Sequence, residues 1–369
     1  MGIRLPGPSI ADCAARPQNN FTLLRFLAAV LVIYSHSYPL AGVRGESGPL
    51  RHLLQFTNYG HIGVDMFFVI SGFLVTASYL NRGSFASYFK SRCLRIFPGL
   101  LVCLLLTAFV LGPLVSSQPA ADYFSARETY AFVYRNLMFV VQYTLPGVFT
   151  DLPVPAVNGS LWTLPVEFRL YIVLGLLGAA GVLAKRRLYL WLVLALAAVV
   201  LAVPVEVSLT FNQKPNVHLF MFFFAGSLLC VYARWVPVSG LVLLALMALS
   251  LPFYHTRAFP WLCGTVLMYA VIWFAYLPGL HAFDRVGDYS YGLYIYAFPI
   301  QEALRQYFTQ IHPWAMFAAA TPLTLICAMF SWHLIEERAL RLKSIDFSER
   351  LGAYGRRLLP WALFRRRQP

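Results

Sequence analysis

The chain alternates long apolar runs with short polar breaks. Runs long enough to cross a hydrocarbon core as helices, about 20 residues each, fall near 22–40, 62–80, 96–115, 162–184, 188–205, 217–233, 238–254, 259–277, 289–308 and 314–335. The pattern predicts an all-α polytopic membrane protein of about ten spans. A short segment, 1–21, precedes the membrane domain 22–335, and a basic tail, 336–369, follows it. The longest break, 116–161, contains "YAFVYRNLMFVVQY", an aromatic stretch suited to lying on or dipping into a membrane, and breaks of that length are often functional.

Composition agrees with a bilayer setting. The 369 residues are 59% hydrophobic and 12% charged, against about 25% charged in a typical soluble domain. The formal net charge of +14 would suit nucleic acid if it were concentrated on one folded domain, but it follows the membrane sides instead. With the N-terminus inside, the inner segments collect 20 Lys and Arg and the outer ones six, namely Arg44, Arg51, Arg127, Arg135, Lys214 and Arg257. By the positive-inside rule both termini are cytoplasmic, and no nucleic-acid partner is expected. The end "RRLLPWALFRRRQP" reads as a peripheral, lipid-facing segment. The polar, Pro-broken N-terminus does not resemble a cleavable signal peptide. The six cysteines contain no CxxC pair, so neither a metal site nor a disulfide framework is expected.

Ionisable groups inside a span cost at least ~2.5–3.5 kcal/mol on insertion scales, so each needs a partner or a task. The set is Arg25, His36, Asp65, Glu167, Arg169, Glu302 and Arg305. Reading depth at 1.5 Å per residue puts His36 and Asp65 ~6 Å, and Glu167 ~9 Å, below the outer surface. Arg25 shares His36's helix face but sits ~16 Å nearer the cytoplasm, so one stripe of the first span lines a polar passage. Each member has a plainer reading: a packed histidine, carboxylates paired with buried arginines, and a local Glu302–Arg305 pair. The other histidines sit at or near span ends. Arg92 and Arg95, just before the third span with Lys90 and Arg82 nearby, are either positive-inside anchors or a phosphate site at a helix N-terminus.

Taken together and in order, "LRFLAAVLVIYSH", "GHIGVDMFFVISGFL", "RCLRIFP", "NGSLWTLPVEFRLYI" and "GDYSYGLYIYAFPI" resemble the acyltransferase-3 family of integral membrane acyltransferases. The "NGSLWTLPVEF" form looks closest to members that O-acetylate bacterial surface polysaccharides and lipopolysaccharides. The resemblance implies a multi-pass enzyme of the bacterial inner membrane. It would take an acyl group, acetyl above all, from cytoplasmic acyl-CoA and place it on a carbohydrate hydroxyl at the outer side, as in exopolysaccharide or O-antigen. No permanently bound cofactor is implied; acyl-CoA is a co-substrate. His36 is then the catalytic histidine, Arg25 its companion, and Arg92 and Arg95 a CoA-side pair. Ser71, Trp162 and Tyr291, within the matching motifs, become candidate substrate or CoA contacts. Many relatives carry a histidine where this chain has Ala297, and the extracytoplasmic esterase-like domain of fused members is not expected here.

A sugar hydroxyl needs a base to become a good nucleophile, and imidazole titrates near neutral pH. Asp65 or Glu167 would orient the ring, leaving the other to position the acceptor. Two other classes compete: a transporter or flippase for a glycan or lipid-linked substrate, and a membrane scaffold. The first often shows inverted repeats, and none is visible. The second leaves His36, Asp65 and Glu167 at one depth without a purpose.

Overall fold

The computed structural model describes residues 7–16, 18–43, 49–54, 56–202 and 217–344. Arg4, Arg44, Lys214, residues 203–205 of the fifth predicted span and the basic tail beyond residue 344 lie outside them. The described residues form helices, with two isolated bridges and no strands. Ten helices carry the predicted spans: α1 Phe21–Leu40, α2 Tyr59–Arg82, α3 Phe85–Leu106, α4 Thr163–Ala179, α5 Arg186–Ala202, α6 Val217–Val231, α7 Gly240–Ser250, α8 Phe259–Ala275, α9 Ser290–Tyr307 and α10 Pro313–Ser331. Two run on through π-helical turns, α3 to Val115 and α10 to Arg341. By length and apolar composition, α1, α2, α3 with its extension, α4 with the preceding turn, and α10 with its extension are able to cross a membrane. The apolar helices α6, α7 and α8 are shorter.

Local sequence explains where the helices begin and stop. The Asn58 side chain accepts the His61 N–H at 2.8 Å, which starts α2 three residues earlier than its apolar run. Gly83, at φ +65°, ends it in the left-handed conformation that glycine adopts without strain. Ser84 then caps α3. This cap moves the helix start eleven residues ahead of the predicted third span. Arg92 and Arg95 therefore lie two to three turns inside α3, where the backbone N–H groups are already used, and not at a free helix N-terminus.

The bundle is organised around α2, which packs against α1 on one side and α6 on the other and also touches α3, α4 and α8. Its glycines set the spacing. A Cβ on Gly72 would stand 1.9 Å from the Phe223 carbonyl oxygen, and one on Gly226 would stand 2.1 Å from that of Val69. On the other face, a Cβ on Gly63 would meet the Ala28 carbonyl oxygen at 2.5 Å. Backbones in direct contact maximise dispersion where lipid removes the hydrophobic drive between helices. Beside this seam, the Thr76 and Ser227 hydroxyls meet at 2.6 Å, and Tyr189 donates to Ser227 at 2.6 Å. Outward faces keep their large apolar side chains exposed, Leu114, Leu241, Leu244 and Phe330 among them, as lipid contact requires.

The 116–161 segment folds onto the bundle. Its helix Arg127–Leu137 buries Phe132 and leaves Tyr130 and Tyr134 exposed. Phe139 packs tilted against Phe168 of α4 with ring centroids 4.7 Å apart. The Asn158 amide donates to the Ile295 carbonyl at 2.8 Å and so ties the segment to α9. The cysteines are all free thiols, two of them buried.

Replacing Gly72 or Gly226 with Ala forces α2 and α6 apart. Overpacking of this kind costs roughly 1–3 kcal/mol or more, so both variants should melt at a lower temperature in detergent. Gly240→Ala, whose new methyl would meet nothing closer than 3.7 Å, should melt as the wild type does.

Candidate active site

The main cavity, about 540 Å³, opens at the end of the bundle where α1 and α9 begin and α10 ends. That basic end carries Arg25 of α1, Arg92 and Arg95 of α3, and Lys343 beyond α10. Deeper, the cavity passes Ser71 of α2 and Glu167 and Tyr171 of α4, and its far lining includes Thr163 and Tyr294.

Asp288, immediately before α9, holds the basic end together. Its Oδ2 accepts from Arg25 Nη2 at 3.0 Å and from Arg95 Nη2, while its Oδ1 accepts from the Ser290 hydroxyl at 2.6 Å. Burial raises the carboxyl's pKa, but Arg25 and Arg95 outweigh that effect and bring it to about 2. Arg95 also lies 3.9 Å from Glu336 and stacks between Tyr291 and Trp332, at 5.9 and 5.8 Å from their ring centres. Arg92 differs. Its Nε donates to Ser91 Oγ at 3.2 Å and its guanidinium lies over the Tyr171 ring, with no ion pair to a carboxylate among the described residues. Lys343 also has no such ion pair. Burial and then the nearby Arg92, Arg95, Arg82 and Arg25 lower its pKa to about 8. The two arginines of the RxxR motif are thus unequal: Arg95 is spent on carboxylates, and Arg92 is available to an anion.

Half-way along, Glu167 Oε1 accepts from the Ser71 hydroxyl at 2.9 Å and from the Tyr171 hydroxyl. The Ser71–Gly72–Phe73 motif therefore serves two purposes, a hydroxyl for the cavity and a bare backbone for α6.

His36 lies beyond the cavity lining. Its ring packs edge-on against Phe298, centroids 5.3 Å apart, one helical turn past Tyr294 on α9. Gly159 makes room for Phe298, since a Cβ there would come within 2.5 Å of the ring. The Asn-Gly-Ser of "NGSLWTLPVEF" is thus explained locally. Asn158 caps the turn Gly159–Trp162 and pins α9, and Gly159 admits the ring that supports His36. Trp162, in the same motif, packs partly buried against the core and does not line the cavity.

Of the residues the sequence singles out, Arg25, Ser71, Arg92, Arg95, Glu167 and Tyr291 share this cavity. The expected meeting of His36, Asp65 and Glu167 does not form. His36 Nδ1 is buried with no hydrogen-bond partner among the described residues, and Glu167 is held by Ser71 and Tyr171. Asp65 lies on another face of α2, 3.8 Å from His218. Equal depth fixes height along a helix but not azimuth. The Glu302–Arg305 pair is likewise not made: both Glu302 oxygens are buried without a hydrogen-bond partner among the described residues. Arg169 is exposed. Sequence reasoning missed Asp288, Tyr171, Trp332, Glu336 and Lys343. Asp288 had a signal, being the acid inside "GDYSYG"; Lys343 was hidden among the other basic residues of the tail.

Removing one member of a buried ionic cluster is costly, about 3–5 kcal/mol, because the partners keep their charge. Asp288→Asn should therefore lower the melting temperature in detergent clearly. Glu337→Gln, which loses only exposed pairs with Arg341 and His333, should scarcely change it.

Similarity to known proteins is consistent along the chain. The acyltransferase-3 family, an acyltransferase domain, matches residues 18–333. An "O-acetyl transferase" of Shigella phage Sf6 is 30% identical over 344 residues, covering 89% of this chain and 98% of that protein. "Nodulation protein 10" of Rhizobium leguminosarum bv. viciae is 30% identical over 379 residues, covering 94% and 99% respectively. No solved structure matches. A family match over most of the chain, with its motifs gathered around one cavity, leads to one assignment: the chain belongs to the acyltransferase-3 family of membrane acyltransferases.

Proposed function

We propose that this protein transfers an acyl group, acetyl above all, from acyl-CoA to a hydroxyl of a cell-surface or exported carbohydrate, with His36 as the general base. Family membership supports acyl transfer over the transporter and scaffold readings. The names of the two relatives, one of them an O-acetyl transferase, favour oxygen as the acceptor atom. The observation that carries the reading is the cavity itself. It runs from a cluster of cations past Ser71 and Glu167 and ends one helical turn short of the Phe298–His36 contact.

In this reading the protein crosses the bacterial inner membrane ten times with both termini cytoplasmic, as the split of basic residues supports. The phosphates of CoA rest at the cytoplasmic mouth on Arg92 and Lys343, which pair with no carboxylate among the described residues. Arg25 and Arg95, fixed on Asp288, set the shape of that mouth. The pantetheine arm follows the cavity, and the Ser71 and Tyr171 hydroxyls are placed to donate to its polar groups. The thioester arrives near Phe298. His36 takes the proton from the sugar hydroxyl as the oxygen attacks the acyl carbon, the C–O bond forms, the C–S bond breaks, and CoA leaves as the thiol after protonation. The acyl group crosses to the outer side while the bulky nucleotide stays behind.

His36→Ala should abolish ester formation on surface glycans, read by mass spectrometry of cells carrying the variant against wild type. The purified variant should keep its melting temperature and its affinity for acetyl-CoA. Normal glycan esterification by the variant would refute the proposed base.

Lys343 gives a pH test. Its ammonium is charged below about pH 8 and neutral above, so a phosphate at the mouth is held more tightly on the acid side. Acetyl-CoA affinity of the wild type should fall as pH rises through 8. Lys343→Met should bind more weakly at pH 7 and lose that step, measured by titration calorimetry in detergent.

A further inference from the structure

A second cavity, about 400 Å³, lies across α2 from the first, walled by α2, α5, α6 and α8. The α2 residues Val64, Phe67, Phe68 and Ser71 face the acyl cavity, while His61, Ile62 and Asp65 face this one. Its polar residues cluster at one end, where α2, α6 and α8 begin: Thr57, His61, Asp65 and His218. From there it runs inward between apolar side chains as far as Leu228, ten residues or ~15 Å along α6. It borders Leu194, which is 46% exposed, so the slot opens sideways toward lipid.

Asp65 is the informative residue. It is only 8% exposed, it lines the slot, and its Oδ1 has no hydrogen-bond partner among the described residues, the His218 ring nitrogen being 3.8 Å away, beyond hydrogen-bond reach. A buried acceptor left unmade is costly, so a donor is called for at that end of the slot. Water alone is a poor filling for a slot with these walls. No Lys or Arg is among the described lining residues, which disfavours a phosphate head. The acyl chain of the thioester is kept away by α2.

We propose that this slot binds one hydrocarbon chain of a membrane amphiphile whose neutral, hydroxyl-bearing head donates a hydrogen bond to Asp65. The chain lies along Phe222, Met268 and Leu228, and the head sits at the beginning of α2. Asn58, at that point, bonds Ser35 beside His36, so the head rests at the same end of the bundle as the base.

Trp261 lines the slot and reports on it. The full chain would be placed in phosphatidylcholine nanodiscs containing rising fractions of a monoacylglycerol brominated in mid-chain. Trp261 emission is read as the difference between proteins with and without Trp261→Phe. Quenching should saturate at a low fraction of the probe. Gly264→Leu projects into the slot, and its Cβ meets nothing nearer than the Phe222 ring at 3.4 Å; this variant should lose the saturable part. Ala225→Leu serves the same end from α6 if the first variant folds poorly. A brominated fatty-acid methyl ester, which has no donor, should need a higher fraction to saturate. Equal, non-saturating quenching in wild type and filled variants would mean ordinary surrounding lipid only and would overturn the site. Equal saturation by ester and monoacylglycerol would overturn the hydrogen bond to Asp65.

Discussion

One carboxylate, Asp288, determines whether the basic end can exist. Two guanidiniums converge on it, and a second acid, Glu336, approaches Arg95 from the far side. Away from water, like charges this close repel strongly, and only an interposed anion lets Arg25 and Arg95 share one mouth. The same bond joins α1 and α3 to the start of α9, elements far apart in sequence. Stacking of Arg95 between Tyr291 and Trp332 fixes the orientation of the fork. Arg92 and Lys343, which pair with no carboxylate among the described residues, are thereby presented around a rigid frame.

The second constraint is the thinness of α2's packing. With glycine at its contacts to α1 and α6, the helix is a partition about one backbone thick, and what faces each cavity is decided by its other side chains. Ser71 serves one chamber and Asp65 the other, although six residues and less than two turns separate them.

Much of this was legible in the sequence because the membrane simplifies the physics. Apolar runs located the long helices of the bundle, and the cost of intramembrane charge picked out Arg25, His36, Asp65 and Glu167. The motif residues Ser71, Arg92, Arg95 and Tyr291 proved to gather with Arg25 and Glu167 around one cavity. What remained hidden depended on azimuth and on pairing across long separations. Residue count gave Asp65 its height but not the turn toward His218. The RxxR spacing made Arg92 and Arg95 look equivalent, whereas Asp288, almost two hundred residues later, takes one and leaves the other. The start of α3 was misplaced because the Ser84 cap outweighs the polarity of the turns that follow it.

The touching backbones of α2 and α6 also have a mechanical meaning. Where Gly72 and Gly226 bring carbonyl oxygens against main chain, no side chain is present to change rotamer, so the two helices can shift only together, as one stiff plank. Compliance has to come from the opposite wall, where Leu340 and Lys343 line the mouth beyond the Arg95–Trp332 contact. Any breathing that widens the mouth is thus confined to the α10 side, and the chamber floor beneath it stays in register.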